Sequence, residues 1–298
     1  MASSKHYIVV MNPHGGKRRA TAVLESVRPI LTAADARLHV HVTTGPGHAA
    51  EIAATIDLDG CDGLCVVGGD GTIHEVVGGL MRREEPVRTP LGIIPAGTGN
   101  AVMTHLDCCD PLDAARRIVA GEARPLDVVR VATPAGVVYC VNIIGWGAVA
   151  DINRTAERLR ALGTSRYAVA AVLHIVRAKR RRAKLTLDET VFEDDFLFVA
   201  ACNTKFTGAG MQLAPRAEMG DGKLDVVLVR RASRRQMFRL FGKVFDGSHL
   251  DLPYVEYHQV RSFRIESDDG DGLLLDGEFK GNTPLSAEMM PAALRVFV

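Results

Sequence analysis

The segment CVVGGDGTIHEVVGG, residues 65–79, sets Gly68, Gly69 and Gly71 around Asp70 directly after a short apolar run. Glycine has no Cβ, so such a turn accepts positive φ and lets backbone N–H groups come close to an anion. A helix starting near Thr72 adds the positive end of its dipole, and phosphate is the natural guest. A carboxylate repels phosphate, so Asp70 suits a hydroxyl proton, a metal ion, or both. Taken alone, the same residues also describe a tight strand-to-helix turn with Asp70 as its N-cap.

The flanking sequence repeats the device twice. GIIPAGTGNAV, residues 92–102, places Gly97, Thr98 and Gly99 before Asn100, and NPHGGKRRA, residues 12–20, places Gly15 and Gly16 before Lys17, Arg18 and Arg19. HYIVVMN, RLHVHVTT, DGLCVVGG and TPLGIIPAG read as strands; KRRATAVLESVRPILTAA, GHAAEIAATI, TIHEVVGGLMRR and DPLDAARRIVAGE read as helices. This alternation predicts an α/β domain, a parallel sheet with helices on both faces, whose ligands sit beyond the strand C-termini. Three glycine-rich turns at one edge of one sheet point to a nucleotide-phosphate site. No GxxxxGK[ST] is present. GWGAVA, residues 145–150, matches a loose GxGxxA but lacks the acidic residue about 20 positions on and lies in a β-rich region, so it is set aside.

From about Pro125 the rhythm changes to short β-rich runs, LDVVRVAT, GVVYCVNII, AKLTLDE, DFLFVAAC, KLDVVLVRR, VRSFRIES, GLLLDGEF and ALRVFV, around one helical insertion, residues 151–182. The division expected is residues 1–128 as the α/β nucleotide-binding domain and residues 129–298 as an antiparallel β-sandwich. The 298 residues carry a net charge of +1, which argues against a nucleic-acid-coating protein. Cys61, Cys65, Cys108, Cys109, Cys140 and Cys202 form no paired CxxC set, so reduced thiols are expected rather than zinc. MASSKHYIVVMN has no basic n-region or long h-region, so no secretory signal is expected. The longest apolar stretch, residues 137–150, is interrupted by Asn142 and falls short of the roughly 18 residues a membrane span needs, so a soluble chain is expected.

Six blocks, NPHGGKRRA, GGDGTIHEVVGGL, GIIPAGTGNAV, GWGAVADINRTAERLRALGTSRY, APRAEMGDGKLDVVLV and LLLDGEF, occur in the order found in lipid kinases of the diacylglycerol kinase and sphingosine kinase group. The chain resembles that family over nearly its whole length. The resemblance implies an active site in an interdomain cleft and transfer of the ATP γ-phosphoryl group to a lipid hydroxyl with Mg²⁺. It implies nucleotide contacts at Asn12, Pro13 and His14, at Thr43, Thr44, Gly45, Pro46 and Gly47, and at Gly69, Gly71, Thr72, Glu75, Gly97, Thr98 and Gly99. Arg160 and Arg166 correspond to arginines that reach ATP phosphates, Asp276, Gly277 and Glu278 to an acidic turn near the site, and Asp221 to a metal-linked aspartate. Asp70 matches the aspartate that takes the hydroxyl proton, with Glu278 as the alternative base. The acceptor is expected at Gly68, Gly69, Asp70 and Gly71 and at Asp151 and Asn153, in a lipid-binding second domain.

The resemblance leans toward a sphingoid long-chain base as acceptor, with diacylglycerol or a related acylglycerol or ceramide as the alternative. Sphingosine kinases carry a second aspartate where this chain has Asn153, and an amide offers no charge to an ammonium. Many bacterial diacylglycerol kinases carry an acid where this chain has Gly220. Two other classes remain: a kinase of a soluble substrate, as in NAD kinases, which share GGDG but lack the ADINRTAERLRALGTSRY block, and a silent nucleotide- or lipid-binding relative. The retained acids Asp70, Asp221 and Glu278 weigh against the last. The helix RYAVAAVLHIVRAKRRRAK, residues 166–184, is either an acyl-pocket wall with a basic lip facing anionic lipid or a buried helix with a solvated end. VRRASRRQ, residues 229–236, adds to a basic surface. His174 is expected to pack within its helix and His249 in a loop. The partners expected are a lipid substrate and a peripheral membrane surface, with no nucleic acid and a homodimer left open, in a cytoplasmic protein with peripheral membrane association.

Overall fold

The computed structural model describes residues 4–33, 36–177, 179–267 and 270–298, with the side chains of all but Lys17, Arg160, Ala161, Thr164 and Ala209. The chain forms two compact units, Met1–Val128 together with Pro291–Val298, and Val129–Met290.

The first unit runs β1 (His6–Met11), α1 (Ala20–Leu31), β2 (Arg37–Val42), α2 (His48–Thr55), β3 (Gly63–Gly68), α3 (Asp70–Leu80), β4 (Leu91–Pro95), α4 (Ala101–His105) and α5 (Pro111–Ala120). Its strands are parallel in the order β2-β1-β3-β4, with Ile8 opposite His39, Val9 opposite Cys65 and Val66 opposite Ile93. Strands covered on both faces need unbroken apolar runs, and Tyr7–Met11 and Leu64–Val67 are buried throughout. Each of Val9, Val10, Val66 and Val67 contributes about 1.5–3 kcal/mol by leaving water. Helix α1 packs with α5, and α2 with α3. Asp110 caps α5 through Leu112 N at 3.0 Å, with Pro111 at its first position and Gly121 in the left-handed region at its end.

The second unit contains the end of β5 (Ala123–Thr133), then β6 (Gly136–Cys140), β7 (Ile143–Gly147), α6 (Ala148–Arg158), α7 (Arg166–Arg177), β8 (Arg181–Leu187), β9 (Thr190–Phe196), β10 (Phe198–Cys202), β11 (Leu224–Val229), α8 (Arg234–Lys243), β12 (Glu256–Val260), β13 (Ser262–Ser267), β14 (Gly272–Leu275), β15 (Glu278–Asn282) and the start of β16 (Leu285–Phe297). One sheet has the order β12-β11-β10-β7-β14-β15; the other antiparallel set includes β9-β8-β13-β16. Their inner faces alternate apolar residues into one core built on Trp146, Phe196, Leu185, Leu224, Phe263 and Leu275. Trp146 meets Phe196 edge-on at 6.3 Å. The other face of the first sheet packs Phe198, Ala200 and Val227 against Ile175 of α7 and Met237 and Leu240 of α8.

Five local readings change. Residues 291–298 group with the first unit rather than the second: Val296 pairs with Leu91, Ala292 N donates to Asp127 Oδ1 (2.7 Å) and Val298 N to Glu122 O (3.1 Å). GVVYCVNII is two strands, because the backbone of Val141–Ile143 turns aside to Asp276. GLLLDGEF is a hairpin whose two central residues, Asp276 and Gly277, have φ of 50° and 89°. The basic run does not simply end a helix: α7 stops at Arg177, and Arg181 opens β8 as a buried residue. VRRASRRQ keeps Arg231, Arg234 and Arg235 exposed as a basic surface, but Ser233 and Gln236 form a capping box that opens α8, a helix the sequence reading does not expect there. Among the described residues, no helix is long and apolar enough to cross a membrane.

Candidate active site

The ends of β1, β3 and β4 bring the three glycine turns of the first unit together. Asn12 leaves β1 and donates its N–H to Val67 O at 3.1 Å. Its Oδ1 accepts from His14 N and Gly15 N at 3.0 and 3.2 Å, while Nδ2 donates to Thr72 Oγ1 at 3.1 Å. One side chain thus fixes the first turn and ties it to the second. Gly68 O accepts from Ala96 N and Gly97 N at 2.8 and 3.1 Å, tying the second to the third. A Cβ at Gly69 would stand 2.9 Å from Gly97 Cα, and one at Gly16, where φ is 52°, would overlap the Ala96 carbonyl. These glycines are therefore required by turn-on-turn packing, a cause the sequence reading had assigned to a guest. Gly45 and Gly47 differ, since nothing lies within 4 Å of where their Cβ would be.

Asp70 opens α3, but the N-cap is Gly69 and no side chain caps this helix, so the capping reading of Asp70 is set aside. Its carboxylate lies over the third turn: a Cβ at Gly99 would be 2.7 Å from Asp70 Oδ2. Glu75, one turn along α3, accepts from Gly47 N (2.9 Å) and Ala49 N (3.2 Å), so it anchors the loop after β2. Thr43 is buried and bonds Met11 O, and Thr44 N donates to His48 Nδ1 at 3.0 Å. His14, Thr44, Pro46, Gly47, Thr98 and Gly99 are exposed, and Pro13 is half-buried. Asn100, at the start of α4, adopts φ 49° and donates Nδ2 to Gly97 O at 3.2 Å.

In the second unit, Asp276 is buried and accepts from Val141 N, Asn142 N and Ile143 N at 2.9, 2.8 and 3.1 Å. Both its oxygens thus hold backbone, with Gly277 completing the turn. Glu278 pairs with Lys280 at 2.8 Å. Arg166 pairs with Glu157 at 3.4 Å and lies over the Tyr167 ring at 4.9 Å; the side chain of Arg160 lies outside the described residues. Asp221 is exposed and accepts from Lys223 N at 3.0 Å, a turn-forming bond. Asp151 is held by Arg181 at 2.6 Å, and Arg181 also pairs with Asp271 at 2.9 Å. Two residues along α6, Asn153 Oδ1 is buried with no hydrogen-bond partner. Arg181 and Asp271 carry no local motif; partners 30 and 90 residues apart leave no trace in spacing.

Residues 6–131 match the model of the diacylglycerol kinase catalytic domain, and residues 142–298 match the YegS C-terminal NAD kinase beta sandwich-like domain. The chain belongs to the diacylglycerol kinase family of lipid kinases. The kinase is 28% identical to sphingosine kinase 1 of Arabidopsis thaliana over 330 residues, covering 92% of this chain and 68% of that protein. It is 30% identical to a diacylglycerol kinase of Mycobacterium tuberculosis over 263 residues, covering 86% of this chain and 84% of that protein. A crystal structure of a diacylglycerol kinase from Bacillus anthracis str. Sterne superposes with a TM-score of 0.80 at 24% identity, over 100% of this chain and 98% of that one, which bears on the fold.

The kinase uses ATP and acts on a lipid. Its first unit fits a triphosphate: the open loop at Gly45 and Gly47, the N-terminus of α3 without a side-chain cap, and the exposed Thr98 and Gly99 all offer unblocked backbone. Mg²⁺ is bound in such sites by one or two carboxylates plus phosphate oxygens. Among the described residues, Asp221 belongs to no group of three ligand side chains, so a site there offers such an ion fewer than three side-chain ligands.

Proposed function

We propose that the kinase transfers the γ-phosphoryl group of ATP to the hydroxyl of an uncharged glycerol-ester lipid of the diacylglycerol type. The observation that carries this reading is the Asp151–Arg181–Asp271 arrangement. An ammonium head group is best met by a carboxylate with no cation already against it; Asp151 Oδ2 is bonded to Arg181, which Asp271 also holds, leaving the trio one net negative charge. Asn153 next to it offers an amide oxygen suited to a hydroxyl donor. In this reading ATP phosphates lie along the glycine turns with Mg²⁺, and Asp70 accepts the proton as the lipid hydroxyl attacks. Glu278, paired with Lys280, is the weaker base. Asn12, Glu75 and Asp276 act as positioning residues, because their polar atoms already hold the loops around them.

A second reading, phosphorylation of a sphingoid base, draws on the 28% identity to proteins named sphingosine kinase. Incubation of the purified chain with labelled ATP, Mg²⁺ and mixed micelles of diacylglycerol and sphingosine, followed by mass spectrometry, separates the two. The expected result is a kcat/KM for diacylglycerol about ten-fold or more above that for sphingosine, about 1.4 kcal/mol in transition-state binding. Preferential phosphorylation of sphingosine overturns the first reading in favour of the second.

The same proposal includes docking on an anionic bilayer. Helix α7 buries Ala170, Ala171 and Ile175 but exposes Val169, Val172, Leu173 and Val176, an i, i+3, i+4, i+7 stripe. Exposed Arg177, Lys179, Arg180 and Arg182 follow directly, so apolar insertion and attraction to anionic lipid act at one place.

A further inference from the structure

We propose that His39 and His41, joined by His6, bind a borderline transition-metal ion such as Zn²⁺ on the outer strand of the first unit. Nothing in the kinase reading uses these side chains, and the inference is independent of it. Strand β2 is terminal in the order β2-β1-β3-β4. Side chains two apart on a strand share a face, so His39 and His41 project together, and their ring centroids are 5.5 Å apart. Two imidazoles bound to one tetrahedral Zn²⁺ at about 2.0 Å have centroids roughly 5 Å apart, so the pair is close to ligating geometry without backbone movement.

The parallel register places Ile8 opposite His39 and His6 opposite Arg37, which puts His6 on the same face, one diagonal step from His39. Its ring centroid stands 6.4 Å from that of His39, and the three rings do not bring one nitrogen each within 4.8 Å of one another, so His6 would reach the ion only after side-chain rotation. His39 is exposed and His41 half-buried, so an ion reaches the pair from solvent. A donor set of imidazole nitrogens selects Zn²⁺, Cu²⁺ or Ni²⁺ over Mg²⁺, so this site does not compete for the ion that accompanies ATP. An edge strand otherwise presents unpaired backbone groups to other chains, and a metal bridging β2 to β1 would hold that edge in register.

The test is isothermal titration of the full chain, free of any histidine tag, with ZnCl₂ at neutral pH without nucleotide. One site is expected. His39→Gln and His41→Gln should each weaken it by about ten-fold or more, and His6→Gln by less. Kinase activity with ATP and Mg²⁺ should be unchanged in all three. Absence of Zn²⁺ binding by the wild type, or undiminished binding by His39→Gln/His41→Gln, overturns the proposal. If either variant fails to fold by circular dichroism, the wild type loaded with Cu²⁺ still decides by electron paramagnetic resonance. Nitrogen hyperfine structure from at least two imidazoles supports the site, and its absence refutes it.

Discussion

Replacing Gly97 by alanine tests the packing of the three turns directly. The added Cβ would lie 2.5 Å from Gly69 Cα, 2.8 Å from Asn100 Oδ1 and 3.3 Å from Gly69 N. Two of those three neighbours are backbone, so relief requires the second and third turns to separate. Forcing an extra methyl into such a contact costs about 1–3 kcal/mol, and the rigid neighbours favour the upper half of that range. At about 2–4 °C per kcal/mol for a chain of this order, the melting temperature should fall by roughly 4–12 °C. ATP affinity should fall with it, because Thr98 and Gly99 move when the turn moves. Gly45→Ala is the control. Nothing lies within 4 Å of its Cβ position and its φ is not positive, so its stability should stay within about 1 kcal/mol of wild type or rise slightly. Scanning fluorimetry and calorimetric titration with ATP give both quantities. A Gly97→Ala protein with wild-type melting and affinity, or a Gly45→Ala protein with an equal fall in melting temperature, would refute the reasoning.

Asp70→Asn should lower kcat by about 10²–10⁴-fold with ATP affinity retained, measured by phosphoryl transfer and nucleotide titration; near-normal turnover removes Asp70 as the base. Arg181→Met leaves Asp151 and Asp271 facing each other without their cation and should cost about 3–5 kcal/mol in urea unfolding. Val172→Glu with Leu173→Glu should abolish cosedimentation with phosphatidylserine vesicles while leaving the melting temperature unchanged, since both residues are exposed; unaltered cosedimentation rules out α7 as the docking helix. Burial raises the Asp225 carboxyl above its usual range, against hydrogen bonds from Tyr257 and Gln259 that lower it. The folded protein therefore holds this proton more tightly than the unfolded chain, and the contribution of Asp225 to stability falls as pH rises above about 4. Asp225→Asn lacks that fall, so denaturation midpoints should shift in favour of the variant between acidic and neutral pH; a gap independent of pH would contradict the assignment.

What the sequence disclosed was what short-range pattern controls. Runs such as Tyr7–Met11 and Leu64–Val67 carry their reading locally because a parallel strand covered on both faces admits nothing but apolar residues, whereas the contacts that require Gly16 and Gly69 in the turns after them join distant segments. The start of α8 is equally local, a Ser233–Gln236 box followed by Met237 and Leu240, and its arginines are exposed as the basic run suggests. Other features depended on distant partners. Asp276 reads as an acid near a site, but its three backbone donors lie more than 130 residues earlier. Arg181 reads as part of a basic run, and only Asp151 and Asp271 explain its burial. Glu75 matches a nucleotide position by family resemblance, and the two amides it holds, Gly47 N and Ala49 N at the start of α2, lie 28 and 26 residues away.

The return of Pro291–Val298 to the first unit makes that unit discontinuous in the chain. During synthesis, residues 1–128 leave the ribosome well before the segment that reaches Leu91 through Val296 exists. Of the two units, the one begun first is thus the last to be completed, and must wait while some 160 intervening residues emerge. Removing residues 291–298 will therefore disturb the unit built from residues 1–128, which lies far from them in sequence.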